Sequence, residues 1–172
     1  MKIEYKGSTI ELKHDETPSN PRKEYEHMGT MICAHRRYDL GDRGPEDWDG
    51  NILNDNDYIA LPLYLYDHSG VTISTTPFSC RWDSGMVGVI FMSREDVRRE
   101  FATKRISPRL KAHVEDILRA EVKEYDYYLR GDVWGYRVIE AGEEVDSCWG
   151  FYGKEDALTR AKDYIDYSPV KA

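Results

Sequence analysis

An amphipathic stripe in the second half of the chain constrains the fold more than any other feature. Its apolar residues recur three or four positions apart, the spacing of one face of an α-helix. They are Leu110, Val114, Ile117, Leu118, Val122, Tyr125 and Leu129. Ser107 and Pro108 supply an N-cap and a first-turn proline, and Gly131 is placed to end the helix. The pattern therefore predicts a helix over 107–130.

Strand patterns precede and follow this helix. The clearest is an aromatic and aliphatic run over 58–66, which is followed by turn residues and by a period-two alternation over 71–76. Similar patterns predict strands over 2–5, 8–13, 28–35, 86–92, 133–140 and 145–152, helices over 93–103 and 154–166, and loops over 14–27 and 78–85. Because runs of strands are followed by runs of helices, we expect a single α+β domain over 1–172, with a mostly antiparallel sheet flanked by about three helices.

The composition indicates a folded, acidic protein. Four tryptophans, thirteen tyrosines and four phenylalanines among 172 residues argue against disorder, because disordered segments lack aromatic side chains to bury. The formal net charge is -8. We therefore expect no direct binding of nucleic acid, since phosphate binding is driven by cationic side chains. An acidic surface suits a basic protein partner, a cation, or solubility alone.

The cysteines and the N-terminus bear on the cellular compartment. Cys33, Cys80 and Cys148 are odd in number and widely spaced, so they do not resemble a disulfide framework. The N-terminus has no apolar signal region, and no window approaches the roughly 18 apolar residues of a membrane span. We therefore expect a protein of the reducing cytoplasm with no membrane partner.

Cysteine and histidine residues leave one metal site to consider. The sequence has neither a phosphate-binding glycine loop nor a standard zinc motif. Cys33 and His35 lie two apart, which on a strand places both side chains on one face, and Cys80 and Cys148 could complete a tetrahedral zinc set. The spacing is nonstandard and buried cysteines commonly serve packing alone, so we predict no cofactor and keep this set as an alternative.

A possible nucleophile site involves Asp67-His68-Ser69, Cys80 and Asp83. A thiol needs a neighbouring base to become a thiolate, and His68 or His35 could serve as that base. The same residues also suit a simple structural role, because Asp-His-Ser-Gly is favourable turn chemistry between two strands.

The acidic segment over 39–57 is the strongest charge feature. Its seven carboxylates face one arginine, Arg43, and they are Asp39, Asp42, Glu46, Asp47, Asp49, Asp55 and Asp57. The segment does not match a calcium-binding EF-hand, because Gly50 stands at the fourth position after a start at Asp47, where the motif needs glycine at the sixth. The two remaining interpretations are a solvated loop and a negative surface that mimics DNA phosphates in a basic groove.

Two further segments bear on binding. Over 94–111 seven basic residues outnumber three acidic ones, so this segment could contact phosphates or could form the polar face of two helices. The predicted loop 78–85 holds Trp82 beside Arg81 and Asp83, residue types that dominate binding hot spots at interfaces. The alternative is that Trp82 folds back and caps the sheet.

Several segments together resemble a family of small, uncharacterised proteins carried by bacteriophages, plasmids and other mobile elements. The resemblance covers most of the chain beyond residue 20, and its segments are Asn20-Pro21, 28–42, 61–70, 78–85 and 146–153. The family brings no catalytic residues. Its genomic setting implies an anti-defence role, because small acidic proteins of mobile elements are often inhibitors of host defence, including anti-CRISPR, anti-restriction and DNA-mimic proteins.

From the resemblance, the charge and the lack of a strong catalytic motif we predict a non-enzymatic inhibitor in the cytoplasm of the host cell. Its expected partner is a host defence protein or nucleoprotein complex with a basic groove. The predicted partner-binding residues are Asp39, Asp42, Asp47, Asp49, Asp55, Asp57 and Trp82. The alternative is a thiol- or metal-dependent hydrolase, and its centre would be His35, His68, Cys80 and Asp83. A third interpretation is a phage accessory protein that binds nucleic acid through 94–111.

Overall fold

A computed structural model describes residues 1–48, 50–80 and 82–168 of the chain. Its elements, in chain order, are β1 (Lys2–Tyr5), β2 (Ser8–His14), α1 (Pro21–Glu24), β3 (Thr30–Cys33), a 3₁₀ turn (Pro45–Asp47), β4 (Tyr58–Asp67), β5 (Val71–Ser74), β6 (Ser84–Ser93), α2 (Arg94–Glu100), α3 (Pro108–Leu129), β7 (Val133–Glu140), β8 (Glu143–Tyr152) and α4 (Lys154–Tyr167). Among the described residues, no helix combines the length and apolar character needed to cross a bilayer.

The predicted α+β class and the antiparallel pairing are confirmed. The strands form two four-stranded antiparallel sheets, in the orders β1-β2-β7-β8 and β3-β6-β4-β5, where the sequence had predicted one sheet. The chain divides into two compact units: a terminal unit, Met1–Ser19 with the chain from Arg130 onward, and a central unit, Asn20–Leu129. Whether they behave as the single domain expected over 1–172 stays a prediction.

The terminal unit is a sheet covered by α4. The β1–β2 and β7–β8 hairpins have two-residue turns, Lys6-Gly7 and Ala141-Gly142, in which all four residues have positive φ. That conformation matches the twist of paired strands and favours glycine at the second position. The core between the sheet and α4 consists of Ile10, Leu12, Tyr136, Val138, Ala157 and Ala161.

The central unit packs the predicted long helix, α3, against β4, β5 and β6. Val114, Leu118 and Val122 of the stripe are at most 2% exposed, which confirms the helix and its apolar face. On the opposite sheet face, Ile52 of the acidic segment packs with Ile32 and Val89 in a second cluster. The acidic segment is thereby fixed to the sheet by apolar contacts of its own.

One helix was missed in the sequence. We predicted a loop over 14–27, but α1 occupies Pro21–Glu24 within it. Asn20 caps this turn by accepting a hydrogen bond from the Arg22 backbone N–H at 3.0 Å, and Pro21 fills the first helical position. The signal was therefore present in Asn20-Pro21, but a single turn has no apolar periodicity to reveal it.

Candidate functional site

The acidic segment 39–57 exposes most of its described carboxylates. Asp39, Asp47, Asp55 and Asp57 are all exposed, and the Asp39 side chain is 90% accessible with only a 3.6 Å pair to Lys23. Asp55 accepts one hydrogen bond, from the Asp57 backbone N–H at 2.9 Å. Asp49 lies outside the described residues. These carboxylates can therefore accept hydrogen bonds and ion pairs from a partner with little competition from within the chain.

Asp42 differs from the other predicted binding carboxylates because its acceptor capacity is used inside the fold. Its carboxylate accepts from Arg22 Nε at 2.9 Å, makes a close second contact with Arg22 Nη2, and accepts from the Met31 backbone N–H at 2.7 Å. The Asp42 side chain is 23% exposed, whereas that of Arg22 is 1% exposed. Asp42 is therefore a structural anchor of the acidic segment, and we leave it out of the proposed binding surface.

The start of the acidic segment is held against β3 by backbone hydrogen bonds. Cys33 N donates to Arg43 O at 3.1 Å, and Asp42 N donates to Met31 O at 2.9 Å. Gly41 has φ +75°, and a Cβ at that position would lie 2.9 Å from Met31 O, so the close approach needs glycine. The backbone that follows Asp39 is therefore held against β3.

Arg22 has two carboxylate partners, and the second is Glu121 of α3. Arg22 Nη1 donates to Glu121 Oε2 at 3.0 Å, and Glu121 Oε1 accepts from the Met28 backbone N–H at 2.9 Å. The two carboxylates raise the pKa of Arg22 against the opposing effect of its burial. No sequence pattern predicted this pair. The available signal was Glu121 itself, a carboxylate between Leu118 and Val122 on the apolar stripe of α3.

Trp82 is the most exposed large apolar residue of the described chain, at 96%. It therefore does not fold back to cap the sheet, which excludes the packing alternative for this residue. An exposed tryptophan buries little of its apolar surface when the chain folds, so that surface stays available to a partner. Arg81, its predicted neighbour in the loop, lies outside the described residues.

Three residues of the alternative catalytic centre lie together beside Trp82. Cys80 Sγ donates to Asp83 Oδ2 at 3.6 Å, and His68 Nδ1 lies 3.4 Å from that same oxygen. The fourth residue, His35, lines a groove with Asp83 and stacks on Tyr38 with ring centroids 4.9 Å apart. The structure therefore assembles the thiol, the carboxylate and one imidazole, and places the second imidazole in the groove that Asp83 also lines.

The order of these contacts is unfavourable for thiol catalysis. A nucleophilic cysteine is activated by a base within hydrogen-bond reach, usually an imidazole that a carboxylate orients from behind. Here the carboxylate of Asp83 lies at the thiol, and His68 contacts Asp83 instead of Cys80. Aspartate is a much weaker base than histidine, so this arrangement is better suited to fixing the loop than to generating a thiolate.

The zinc alternative finds no assembled ligand set. Among the described residues, no three His, Cys, Asp or Glu side chains come together as metal ligands. Cys33 is buried at 3% exposure, Cys80 is half-buried and Cys148 is exposed. Burial raises the pKa of the Cys33 thiol to about 12, which leaves it protonated at neutral pH.

The basic segment 94–111 covers α2 and the start of α3. Arg99 pairs with Asp96, and Lys111 lies 3.7 Å from Glu115, so two of its cations have partners on their own helices. These pairs are typical of the solvated polar face of a helix. They weaken the interpretation of the segment as a phosphate-binding surface.

Comparisons with protein-family models, with curated proteins and with solved structures find no match to this chain. The resemblance to proteins of mobile elements therefore stays a prediction, and the functional conclusion rests on the geometry above.

Proposed function

We propose that the chain is a non-enzymatic inhibitor that binds a basic protein surface through Asp39, Asp47, Asp55 and Asp57. The observation that carries the proposal is their exposure on a segment anchored by Asp42, Leu40 and Ile52. Leu40 and Ile52 are at most 8% exposed, so the segment is anchored to the core at two points near these carboxylates. Preorganised charges bind better than mobile ones because less conformational entropy is lost on association.

The partner that suits this surface is a nucleic-acid-binding protein of a host defence system, such as an anti-CRISPR or anti-restriction target. The basic groove of such a protein is built to accept closely spaced phosphates, and a group of exposed carboxylates can occupy it as a DNA mimic. The net charge of -8 adds long-range attraction and speeds the encounter. Trp82 supplies an apolar contact that a purely electrostatic complex would lack.

A panel assay tests the proposal. The chain is expressed in bacterial strains that each carry one nucleic-acid-targeting defence system, and plating of a targeted phage is counted. Wild-type protein is expected to restore plating in at least one strain, while the variant with Asp39, Asp47, Asp55 and Asp57 changed to Asn is not. The control variant changes Glu26, Glu95, Glu100 and Asp116, exposed carboxylates outside the loop, to Gln or Asn and is expected to keep activity. Restoration in no strain would remove the inhibitor proposal.

The hydrolase remains a second candidate because Cys80 and His68 both contact Asp83. In that case activity depends on the sulfur and not on the charges of the loop. Replacing Cys80 by Ser keeps the size of the side chain and removes the thiol. Loss of plating rescue in Cys80→Ser, with full rescue by the four-Asn variant, would favour the hydrolase over the inhibitor.

A further inference from the structure

β3 and β6 separate before the end of β6, and the separation opens a groove. β3 pairs with β6 from Thr30↔Phe91 to Cys33↔Gly88, and Ala34 N makes one further bond to Val87 O at 2.7 Å. Beyond Ala34 the chain leaves the ladder, while β6 continues back to Ser84 in pairing with β4. The groove between 35–37 and 84–86 has a volume of about 550 Å³.

The backbone of β6 presents hydrogen-bonding groups to this groove. In an antiparallel ladder, successive residues direct their N–H and C=O groups to alternate sides. Asp67 N donates to Asp83 O at 2.9 Å, so Asp83 is directed towards β4. Ser84 and Met86 are therefore directed away from β4, and among the described residues no strand pairs with them on that side. The segment 84–86 is an open sheet edge.

The far wall of the groove is held in place by its own contacts. Arg37 forms a close ion pair with Asp67, and the Tyr38 hydroxyl donates to Asp67 Oδ1 at 3.3 Å. His35 stacks on Tyr38. This wall bounds the space beside the open edge, so an added strand has to fit within the groove.

The side chains around the groove select an uncharged occupant. Among the described residues that line the groove, two arginines, Arg36 and Arg37, balance two aspartates, Asp67 and Asp83, with histidine neutral. Met86 is 41% exposed at the open edge, and Trp82 stands beside it. An occupant with apolar side chains can bury against Met86 and Trp82, whereas a charged one would gain no net attraction.

We propose that this groove binds an extended, predominantly uncharged segment of a partner protein, which adds to β6 as a further strand. Main-chain hydrogen bonds to Ser84 and Met86 supply the affinity, and the contacts with Met86 and Trp82 supply the selectivity. This inference does not rest on the acidic surface of the inhibitor proposal: Trp82 is shared by the two, but none of the four loop carboxylates lines the groove. The two can therefore fail separately.

The test uses a phage-displayed library of random heptapeptides as the probe. It is selected on the wild-type chain of 172 residues and counter-selected on Gly85→Phe. A Cβ at Gly85 would meet no heavy atom within 4 Å, so this variant is expected to fold normally. Because Gly85 lines the groove, the added ring is expected to occupy part of it. Its circular dichroism and melting temperature are compared with those of the wild type, and Met86→Ala is the second variant if it fails to fold.

Each selected peptide is then synthesised in two versions, or phases. One phase carries N-methyl groups on the odd-numbered residues and the other carries them on the even-numbered residues. Strand addition predicts that one phase weakens binding by about tenfold or more and that the other phase has little effect, because only alternate amides face β6.

Amide exchange at Ser84 and Met86 is expected to be fast in the free protein and slow in the complex. Equal effects of the two phases would overturn the proposal, and so would slow exchange in the free protein or failure to enrich any peptide on the wild type. Sedimentation that shows a dimer abolished by Gly85→Phe would assign the edge to a second copy instead.

Discussion

The guanidinium of Arg22 and the carboxylate of Glu121 meet at 3.0 Å across 99 positions of sequence, with side chains that are 1% and 9% exposed. Arg22 also binds Asp42 at the start of the acidic segment. One buried cation thus connects α1, the acidic segment and α3. We infer that the position of the exposed carboxylates depends on this cation.

Replacing Arg22 by Met should therefore destabilise the protein strongly. The change leaves the carboxylates of Asp42 and Glu121 without their cation, and breaking a buried ion pair in this way costs about 3–5 kcal/mol. Urea denaturation gives the free energy of unfolding. The matched control is Arg119→Met on α3. The partners of Arg119, Glu115 and Asp116, are partly exposed to solvent, so this variant should lose at most about 1 kcal/mol of unfolding free energy. Equal losses in the two variants would contradict the anchoring role of Arg22.

The three cysteines should differ in reactivity towards iodoacetamide. The reagent attacks thiolates, and burial raises the pKa of Cys33 to about 12, while Cys148 is exposed and Cys80 is half-buried. Mass spectrometry of the native protein at mildly alkaline pH should find Cys148 and Cys80 labelled and Cys33 protected until urea is added. Labelling of Cys33 as fast as Cys148 would show that the core of the central unit is not packed as described.

The N-cap of α2 should contribute stability that depends on pH. Ser93 Oγ accepts from Asp96 N at 3.0 Å and donates to Asp96 Oδ2 at 2.5 Å. The latter hydrogen bond lowers the pKa of Asp96, with a smaller contribution from Arg99. Because the folded pKa lies below the unfolded one, this stabilisation is present above the unfolded pKa and is lost as pH falls through the folded pKa.

Replacing Ser93 by Ala should cost about 1 kcal/mol at neutral pH and less in acid, and should return the pKa of Asp96 towards its ordinary value. Carboxyl NMR titration and urea denaturation measure the two effects. Ser107→Ala is the control. Ser107 Oγ caps α3 by accepting a hydrogen bond from Leu110 N at 3.2 Å, and among the described residues it contacts no carboxylate. A loss in Ser93→Ala that is the same at both pH values would contradict the coupling.

Replacing Trp82 by Ala should leave the melting temperature almost unchanged, because its side chain is 96% exposed. The same change should reduce the affinity for the partner by at least about 2 kcal/mol, as expected of a tryptophan hot spot. Trp134→Ala is the comparison, since Trp134 packs on His14 with ring centroids 3.8 Å apart and its Nε1 donates to Asp132 Oδ1 at 2.6 Å. That variant should lose about 2 kcal/mol of stability or more. A large stability loss in Trp82→Ala would mean that packing had been mistaken for function.

Local patterns were sufficient to predict most of the secondary structure. The stripe from Leu110 to Leu129 predicted α3 to within about one residue, and Ser93 correctly placed the start of α2. Each of these signals lies within a few residues of the element it predicts. The division into two sheets was not predictable in this way, because it depends on β2 pairing with β7, as in Leu12↔Tyr136.

The site was only partly predictable for the same reason. Charge counting identified the exposed carboxylates of the acidic segment, but it gave Asp42 the same role as Asp39. The difference is made by Arg22, which lies 20 positions away and looks like one more charge in a polar loop. The open edge of β6 also depends on where β3 leaves the ladder, and the residues 34–37 carry no turn signal that marks this point.

The central claim, that the acidic segment binds a basic partner by charge, is tested most directly by the association rate constant. It is measured for the wild type and the four-Asn variant with the defence complex identified by the panel, at about 0.15 M and about 1 M NaCl, where the Debye length falls from about 8 Å to about 3 Å. The wild type should associate much more slowly at high salt, and the four-Asn variant should be slow at both concentrations with a weak dependence on salt. The claim would be contradicted if the four-Asn variant kept the rate constant and salt dependence of the wild type, while the control variant associated slowly with a weak dependence on salt. The control variant is the one changed at Glu26, Glu95, Glu100 and Asp116.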